Sequence, residues 1–290
     1  MNQKQIRSLL YVVELGSIAK AAEKSFLAPS TISQQIKELS LELGTDLFQS
    51  KGRGVKLTDA GEKLLPSFYA FHQLAEDIKI QAQSSYKEAY GTLTIFAPSS
   101  MCIYRLPSII DTLQSSAPSV EVILIHEPYD YQTALRNREI DAAIIVSESI
   151  DHEWENLALY DEDVLYVTHP DRHKNTALTL AELQKSTLIT TEEACSYRIA
   201  AERHFAQERA FLRPRQTFCN VEVIKRCLLT NMGIGLLPKC VIQEELDLGL
   251  LKHQEVENTP YQFKSYVTYP KNKTISRKLN AFLQAAKEGT

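Results

Sequence analysis

Residues 17–43 read SIAKAAEKSFLAPSTISQQIKELSLEL, and the fold of the first sixty residues turns on them. Ser17 can cap a short helix carrying Ala19, Ala21 and Ala22, small residues that let a second helix approach closely. Phe26-Leu27-Ala28 then forms a turn, and Pro29 suits the first position of the next helix, where a missing N–H leaves no hydrogen bond unmade. That helix sets Ile32, Ile36, Leu39 and Leu43 at spacings of 4, 3 and 4 on one face. Ser30, Thr31, Ser33, Gln34 and Lys37 occupy the other. Two short helices joined by a tight turn, the second carrying hydroxyls and amides near its start, predict a helix-turn-helix whose second helix enters a DNA major groove. Any helical pair with a polar outer face gives much the same pattern, so the flanks decide.

Upstream, Ile6, Leu9, Leu10 and Val13 make an apolar stripe on a helix that can roof the pair. Downstream, after Gly44, two short apolar runs from Leu47 to Leu57 flank Lys51-Gly52-Arg53-Gly54, which is hairpin chemistry. A basic hairpin tip beside a helix-turn-helix is a wing placed to touch phosphate. The run from Arg7 to Gly61, with Ser17, Ala21-Ala22, Ser33-Gln34-Gln35-Ile36, Leu43-Gly44, Leu47-Phe48, Gly52-Arg53-Gly54 and Leu57-Thr58-Asp59-Ala60-Gly61, closely resembles the N-terminal domain of LysR-type transcriptional regulators. The resemblance implies a winged helix-turn-helix over 1–58, a linker helix and hinge over 59–90, and a two-lobed α/β effector domain of the periplasmic-binding-protein kind over 91–290. It divides that domain into one lobe of about 91–161 with 268–290, and another of about 162–267. It further implies operator DNA, a small-molecule effector and RNA polymerase as partners, a homodimer through the linker helix and a homotetramer through the effector domains. DNA contacts carry over onto Ser30, Thr31, Ser33, Gln34, Lys37, Lys51 and Arg53. The chain departs from the family pattern where Ala28, Pro29 and Ser50 stand in place of a hydroxyl cap, a Gln and an Arg. Pro29 cannot make that Gln's contact, so the base code of relatives does not transfer at this point.

The chain has 290 residues, 44% hydrophobic and 23% charged, enough for two or three units with ordinary cores. No run of about 18 uncharged apolar residues predicts a membrane span. The apolar start is short and contains Glu14, unlike a secretory signal, so the cytoplasm is expected. Net charge is −4, but residues 1–60 hold eight Lys/Arg against six Asp/Glu, a balance of +2 that leaves −6 for the rest. Phosphate contacts need only local positive charge, which the wing supplies. The five cysteines, Cys102, Cys195, Cys219, Cys227 and Cys240, are odd in number and include no C-x-x-C pair, so neither a disulfide framework nor zinc is indicated.

Beyond the wing, Leu64, Phe68, Phe71, Ala75, Ile78 and Ala82 recur at heptad-like spacing on a helix begun by Thr58, with Pro66 expected to kink it. So long a stripe, on a helix with little of its own domain to pack against, predicts pairing with the same helix of a second subunit. From Gly91 the pattern alternates: strands at 93–97, 120–125, 140–146, 164–168, 188–190, 218–221 and 261–269, with helices at 106–113, 131–137, 179–185, 197–209, 222–231 and 276–287. That order predicts a parallel-rich sheet covered by helices.

Open α/β sheets bind ligands at the carboxyl ends of strands. Three such ends carry suitable groups: Pro98-Ser99-Ser100-Met101, the stretch from Thr190 and Thr191 through Glu192 and Cys195 to Arg198, and Cys219-Asn220-Val221-Glu222. Hydroxyls and N–H groups with the Arg198 guanidinium predict a small anionic effector, although Ser99 and Asn220 would equally serve as helix caps and Arg198 could pair with Glu192 or Glu193. Cys195, near a helix start and Arg198, allows a thiol-based redox sensor as the alternative, but no resolving cysteine follows before Ala210. Enzymatic signals are absent from the sequence: there is no G-x-S-x-G, no metal spacing among seven His, and Gly233-Ile234-Gly235 follows a helix rather than a strand. No cofactor is indicated. The rival of another class is a solute-binding or enzymatic α/β protein with a non-functional DNA-binding domain.

Overall fold

The computed structural model describes residues 1–51, 54–83, 88–127, 130–271 and 275–289. It forms two compact units, Met1–Lys87 and Glu88–Thr290.

In the first unit, α1 (Gln3–Leu15) starts at a capping box in which the Asn2 side chain accepts from Gln5 N and the Gln5 side chain accepts from Asn2 N. Ser17 caps α2 (Ile18–Ser25), and Phe26 ends it in the left-handed region at φ 55°. Pro29 opens α3 (Pro29–Leu43), and Gly44 closes it at φ 67°. Ile32, Ile36 and Leu39 are buried as their spacing predicts, against Ala21 and Ala22 and the α1 stripe. Leu43, expected with them, is exposed as the last residue of the helix. Strands β1 (Phe48–Lys51) and β2 (Gly54–Leu57) pair antiparallel as the wing hairpin. The wing tip, Gly52 with the candidate contact Arg53, lies outside the described residues, as do the side chains of Lys51 and Ala82.

Helix α4 (Asp59–Gln83) continues through an exposed Pro66. It approaches the wing so closely that a Cβ on Gly61 would stand 2.4 Å from the Leu47 carbonyl oxygen, which explains the glycine. The heptad stripe is not wholly free for a partner. Phe68 is 3% exposed, packed with Ile6, Leu9, Leu10, Leu39 and Leu47, and Leu64 and Phe71 lie against the same cluster. The first half of α4 therefore completes the helix-turn-helix core, while farther along Leu74 and Ile78 stand out in solvent.

The second unit runs β3 (Gly91–Phe96), α5 (Ser99–Tyr104), α6 (Leu106–Ser116), β4 (Val120–Ile125), α7 (Tyr131–Asn137), β5 (Ala142–Ser147) and β6 (Glu155–Thr168). It continues with α8 (Leu180–Lys185), β7 (Leu188–Thr190), α9 (Ser196–Gln207), β8 (Gln216–Thr217), α10 (Val221–Leu229), β9 (Ile234–Pro238), α11 (Lys239–Asp247), β10 (Lys252–His253), β11 (Tyr261–Tyr269) and α12 (Arg277–Glu288). The strands join in the order β4-β3-β5-β11-β6-β9-β7-β8, with β10 on β6. Parallel pairs β3–β4 and β3–β5 build one half, and β7–β8 and β7–β9 the other. Antiparallel β6 and β11 pass between the halves, with a register shift between Lys264 and Tyr266.

Helices cover both faces where β6 reaches the second half, so Val164 and Tyr166 enter one core and Leu165 and Val167 another. The first half of β6 was not expected. Its exposure does not alternate, and Asp161, Glu162 and Asp163 break any apolar run. Helix α11 was also missed, following directly on Pro238. Gly233 and Gly235 serve packing: a Cβ on the first would stand 2.2 Å from the Thr187 carbonyl oxygen, and on the second 2.8 Å from Leu228 Cδ1.

His204 on α9 is 6% exposed, with Nδ1 2.8 Å from the Tyr261 hydroxyl and Nε2 buried without a hydrogen-bond partner. Burial holds its pKa below the ordinary histidine range. As pH falls through about 6.5 the unfolded chain takes up this proton first, so the neutral ring's stabilisation is lost there at up to about 1.4 kcal/mol per pH unit. His204→Gln should flatten the fall in urea stability between about pH 6.5 and 5.5 relative to wild type. Identical slopes for the two proteins would show that this ring is not buried neutral.

Candidate functional site

On α3, Ser30, Ser33, Gln34 and Lys37 are exposed and Thr31 is half-buried, so the candidate readout residues share one surface beside the wing hairpin. Ser33 Oγ donates to the Pro29 carbonyl at 3.0 Å, and Gln34 Nε2 to Glu38 Oε1 at 2.8 Å. Glu38 in turn accepts from Gln5 Nε2 at 3.3 Å. The bond to Glu38 occupies one of the two Nε2–H donors of Gln34. Sequence reasoning passed over Phe26, which is 95% exposed at the turn before α3. A left-handed aromatic at a helix end has no pattern to announce it.

The second unit holds a cleft of ≈ 500 Å³ between its halves, at strand ends. It gathers Pro98, Ser99 and Ser100 after β3, Thr191 and Cys195 after β7, and Val221 at the start of α10. Ser100 Oγ lies 3.2 Å from the Tyr197 hydroxyl, across the cleft, and Ser99 Oγ accepts from Val221 N at 3.4 Å. Three expected residues are not in the lining. Met101 is fully buried in the core, one helical position beyond the two serines. Asn220 caps α10, its Oδ1 accepting from Glu222 N at 2.8 Å. Arg198 turns away: Nε bonds Glu202 at 2.8 Å, Nη1 the Thr191 carbonyl at 3.3 Å, and Nη2 reaches Glu193 at 3.5 Å. The full positive charge expected to meet an anion is thus engaged elsewhere.

Residues not foreseen complete the lining. Phe96 and Tyr131 stack with ring centres 5.7 Å apart and planes 6° from parallel. His126, Glu127 and Asp151 supply polar groups, and Glu192 and Cys219, from two of the stretches singled out in the sequence, add theirs. Applying the strand-end rule to β4 and β5 as well as β3 would have found His126, Glu127 and Asp151.

Away from the lining, α5 reaches the other half through charge. Lys225 Nζ meets the Tyr104 hydroxyl at 2.6 Å, Glu222 at 2.9 Å and Glu245 at 3.0 Å, while Tyr104 also donates to Glu222. Burial would discharge Lys225, but these three partners outweigh it and hold its pKa above the ordinary lysine value. Next to Tyr104, Arg105 pairs at 2.9 Å with Glu162, which is 2% exposed on the crossing strand β6, and its guanidinium lies 4.2 Å from the Tyr160 ring centre.

Cys195 sits at the start of α9, where the Thr191 hydroxyl and the N–H groups of Tyr197 and Arg198 favour thiolate. Burial outweighs them and pushes the thiol up. Cys219 lines the same cleft and is exposed. Burial likewise pushes Cys102 up to about 11 and Cys240 up to about 12. No group of His, Cys, Asp and Glu suited to a metal occurs among the described residues.

The chain matches the family model of bacterial regulatory helix-turn-helix proteins of the lysR family over residues 3–62, and that of the LysR substrate binding domain over 87–290. It is 28% identical to the HTH-type transcriptional regulator YwqM of Bacillus subtilis (strain 168) over 295 aligned residues, covering 99% of each chain. A full-length OxyR variant from Pseudomonas aeruginosa superposes with a TM-score of 0.72 at 18% identity, covering 99% of this chain and 95% of that one. Full-length CbnR in complex with target DNA superposes with a TM-score of 0.63 at 17% identity, covering 100% of each. At such identities the two structures show a shared fold.

The thiol environments differ enough to be measured. Alkylation with iodoacetamide at neutral pH should modify Cys219 well before Cys195, because the thiolate is the reacting species. Peptide mass spectrometry after timed quenching reads both sites, and faster labelling of Cys195 would contradict the burial argument.

Proposed function

The chain belongs to the LysR family of bacterial helix-turn-helix regulators, and from that premise we propose which of its residues read DNA, pair subunits and receive the effector. It is a DNA-binding transcriptional regulator with an effector-binding domain. Our reading is that it works by binding rather than catalysis and acts in the cytoplasm, where its operator lies. No helix among the described residues is long and apolar enough to cross a membrane.

The observation that carries the DNA reading is the exposed polar face of α3 beside the hairpin β1–β2. Gln34 is the residue best suited to a base edge, since an amide can bond adenine bidentately. Ser30, Thr31, Ser33 and Lys37 flank it, and Lys51 and Arg53 contribute charge at the wing. Gln34→Ala should weaken operator binding by about 1–3 kcal/mol and relax specificity at one position per half-site. Lys51→Ala and Arg53→Ala should weaken binding to all sequences and lower the salt slope by about 0.9 each. Operator affinity unchanged in all three variants would remove the interface from this surface.

For the dimer, the supporting feature is the apolar surface left on α4 after Phe68 has been used by the core. Leu74 is 61% exposed and Ile78 58% exposed, four residues apart on one face. We read this surface as the subunit contact, with a tetramer formed through the effector domains. Leu74→Asp with Ile78→Asp should convert dimers to monomers in sedimentation velocity while helix content by circular dichroism is kept. Dimers that survive both changes would place the contact elsewhere.

The effector domain is read as responding to a small molecule held in the ≈ 500 Å³ cleft, a volume typical of ligand sites. Ser99, Ser100 and Thr191 are polar, buried and convergent there. An anionic group would have to rely on such hydroxyls and on helix-start N–H groups, Arg198 being engaged with Glu202, Thr191 and Glu193. A redox switch at Cys195 is the weaker reading, because burial raises that thiol.

A further inference from the structure

The ionisable groups around the cleft are sorted by sign. Among the described lining residues there are three carboxylates, Glu127, Asp151 and Glu192, and one basic side chain, His126. Arginines nearby are paired with carboxylates that do not line it. Arg136 makes two bonds of 2.8 Å to Glu153, Arg203 meets Glu148 at 2.6 Å, and Arg198 is held by Glu202 and Glu193. Among the described residues none of Glu127, Asp151 and Glu192 makes an ion pair within 4 Å, although Asp151 Oδ1 accepts from Glu153 N at 2.9 Å and feels the charge of Arg136. Glu192 goes further: its Oε2 is shut off from solvent and has no hydrogen-bond partner. A buried carboxylate oxygen without a donor is costly, and a cation brought to it is correspondingly favoured.

The walls add a second preference for the same charge. The stacked rings of Phe96 and Tyr131 line the cleft, and aromatic faces attract ammonium and guanidinium groups. Glu127 and Asp151 come from the half built on β3–β5, and Glu192 follows β7 in the other. A cation between them would hold both halves.

We propose that the effector carries a cationic group, an ammonium or amidinium, that pairs with Glu192 from one half of the domain and with Glu127 and Asp151 from the other. The proposal rests on the reading of the cleft as the effector site, and it names the charge class that site takes. A second, anionic group on the same molecule is compatible with Ser99, Ser100 and Thr191, as in a zwitterion.

Three probes of one skeleton test the charge: phenethylamine, 2-phenylethanol and 3-phenylpropionate, titrated into the full-length protein by ligand-observed NMR. The amine should bind at least about tenfold more tightly than either of the others, equivalent to about 1.4 kcal/mol. Glu192→Gln should bring the three to within about threefold of one another, and Asp151→Asn should narrow the gap from the opposite wall. Melting temperatures of both variants establish that they fold. If 3-phenylpropionate binds most tightly, or the three bind alike, the cationic class is wrong. In that case, weakening of the bound probe by Ser100→Ala would still leave the cleft as the effector site. If the amine binds first but neither acidic substitution affects it, it binds elsewhere and the proposal falls. Failure of all three probes to bind saturably would overturn both the charge class and the site.

Discussion

The antiparallel ladder between β6 and β11 is the constraint on which the effector domain depends. Tyr261 to Lys264 pair with Val164 to Asp161, and Tyr266 to Tyr269 with Ala158 to Glu155. Each strand thus belongs to both halves, and the register shift after Lys264 marks where the ladder bends from one to the other. A sheet that crosses in this way leaves the strand ends of its two parallel parts facing each other across a gap. The cleft is that gap. Its lining comes from residues just beyond β3, β4, β5 and β7 because the chain must leave the sheet there.

Charge at the crossing holds this arrangement. Glu162 is buried on β6 and is paired there with Arg105, which enters from the end of α5. Tyr104, the preceding residue, reaches Lys225 and Glu222 on α10. Helix α5 therefore carries cleft-lining serines at its start and ionic contacts to the other half at its end. A ligand that touches Ser99 and Ser100 acts on the same short helix that joins the halves. It can shift their relative placement only by binding one arrangement better than another. Carboxylates on both walls and a stacked aromatic pair offer the differential contacts such a shift needs.

Legibility followed the regularity of each signal. The helix-turn-helix was plain because capping residues, Pro29 and an uninterrupted apolar spacing all agree over residues 17–39, and Gly44 and the hairpin add fixed punctuation. The α4 stripe was visible too, but not its division of labour. Spacing alone cannot say that Phe68 faces Ile6 and Leu39 while Ile78 faces solvent. In the effector domain the strand-end rule pointed to Ser99, Ser100, Thr191, Cys195 and Val221, all of which line the cleft, while Arg198 took the internal pairing with Glu193 that the sequence also offered and added Glu202. A guanidinium flanked by Glu193 and Glu202 has nearby partners that compete with any ligand. Glu127 and Asp151 were missed because they lie past strand ends that had not been searched. The first half of β6 escaped because its acidic residues interrupt the alternation by which strands are recognised.

Sequence-specific recognition of DNA by the N-terminal domain is the central claim, and it can be tested without knowing the operator or the effector. The purified full-length protein would be mixed with a random-sequence duplex library near physiological salt, and the retained DNA sequenced through successive rounds. Enrichment of a short motif repeated as two half-sites in two-fold relation is the predicted result. Retention of DNA with no sequence enriched over the input library would contradict it.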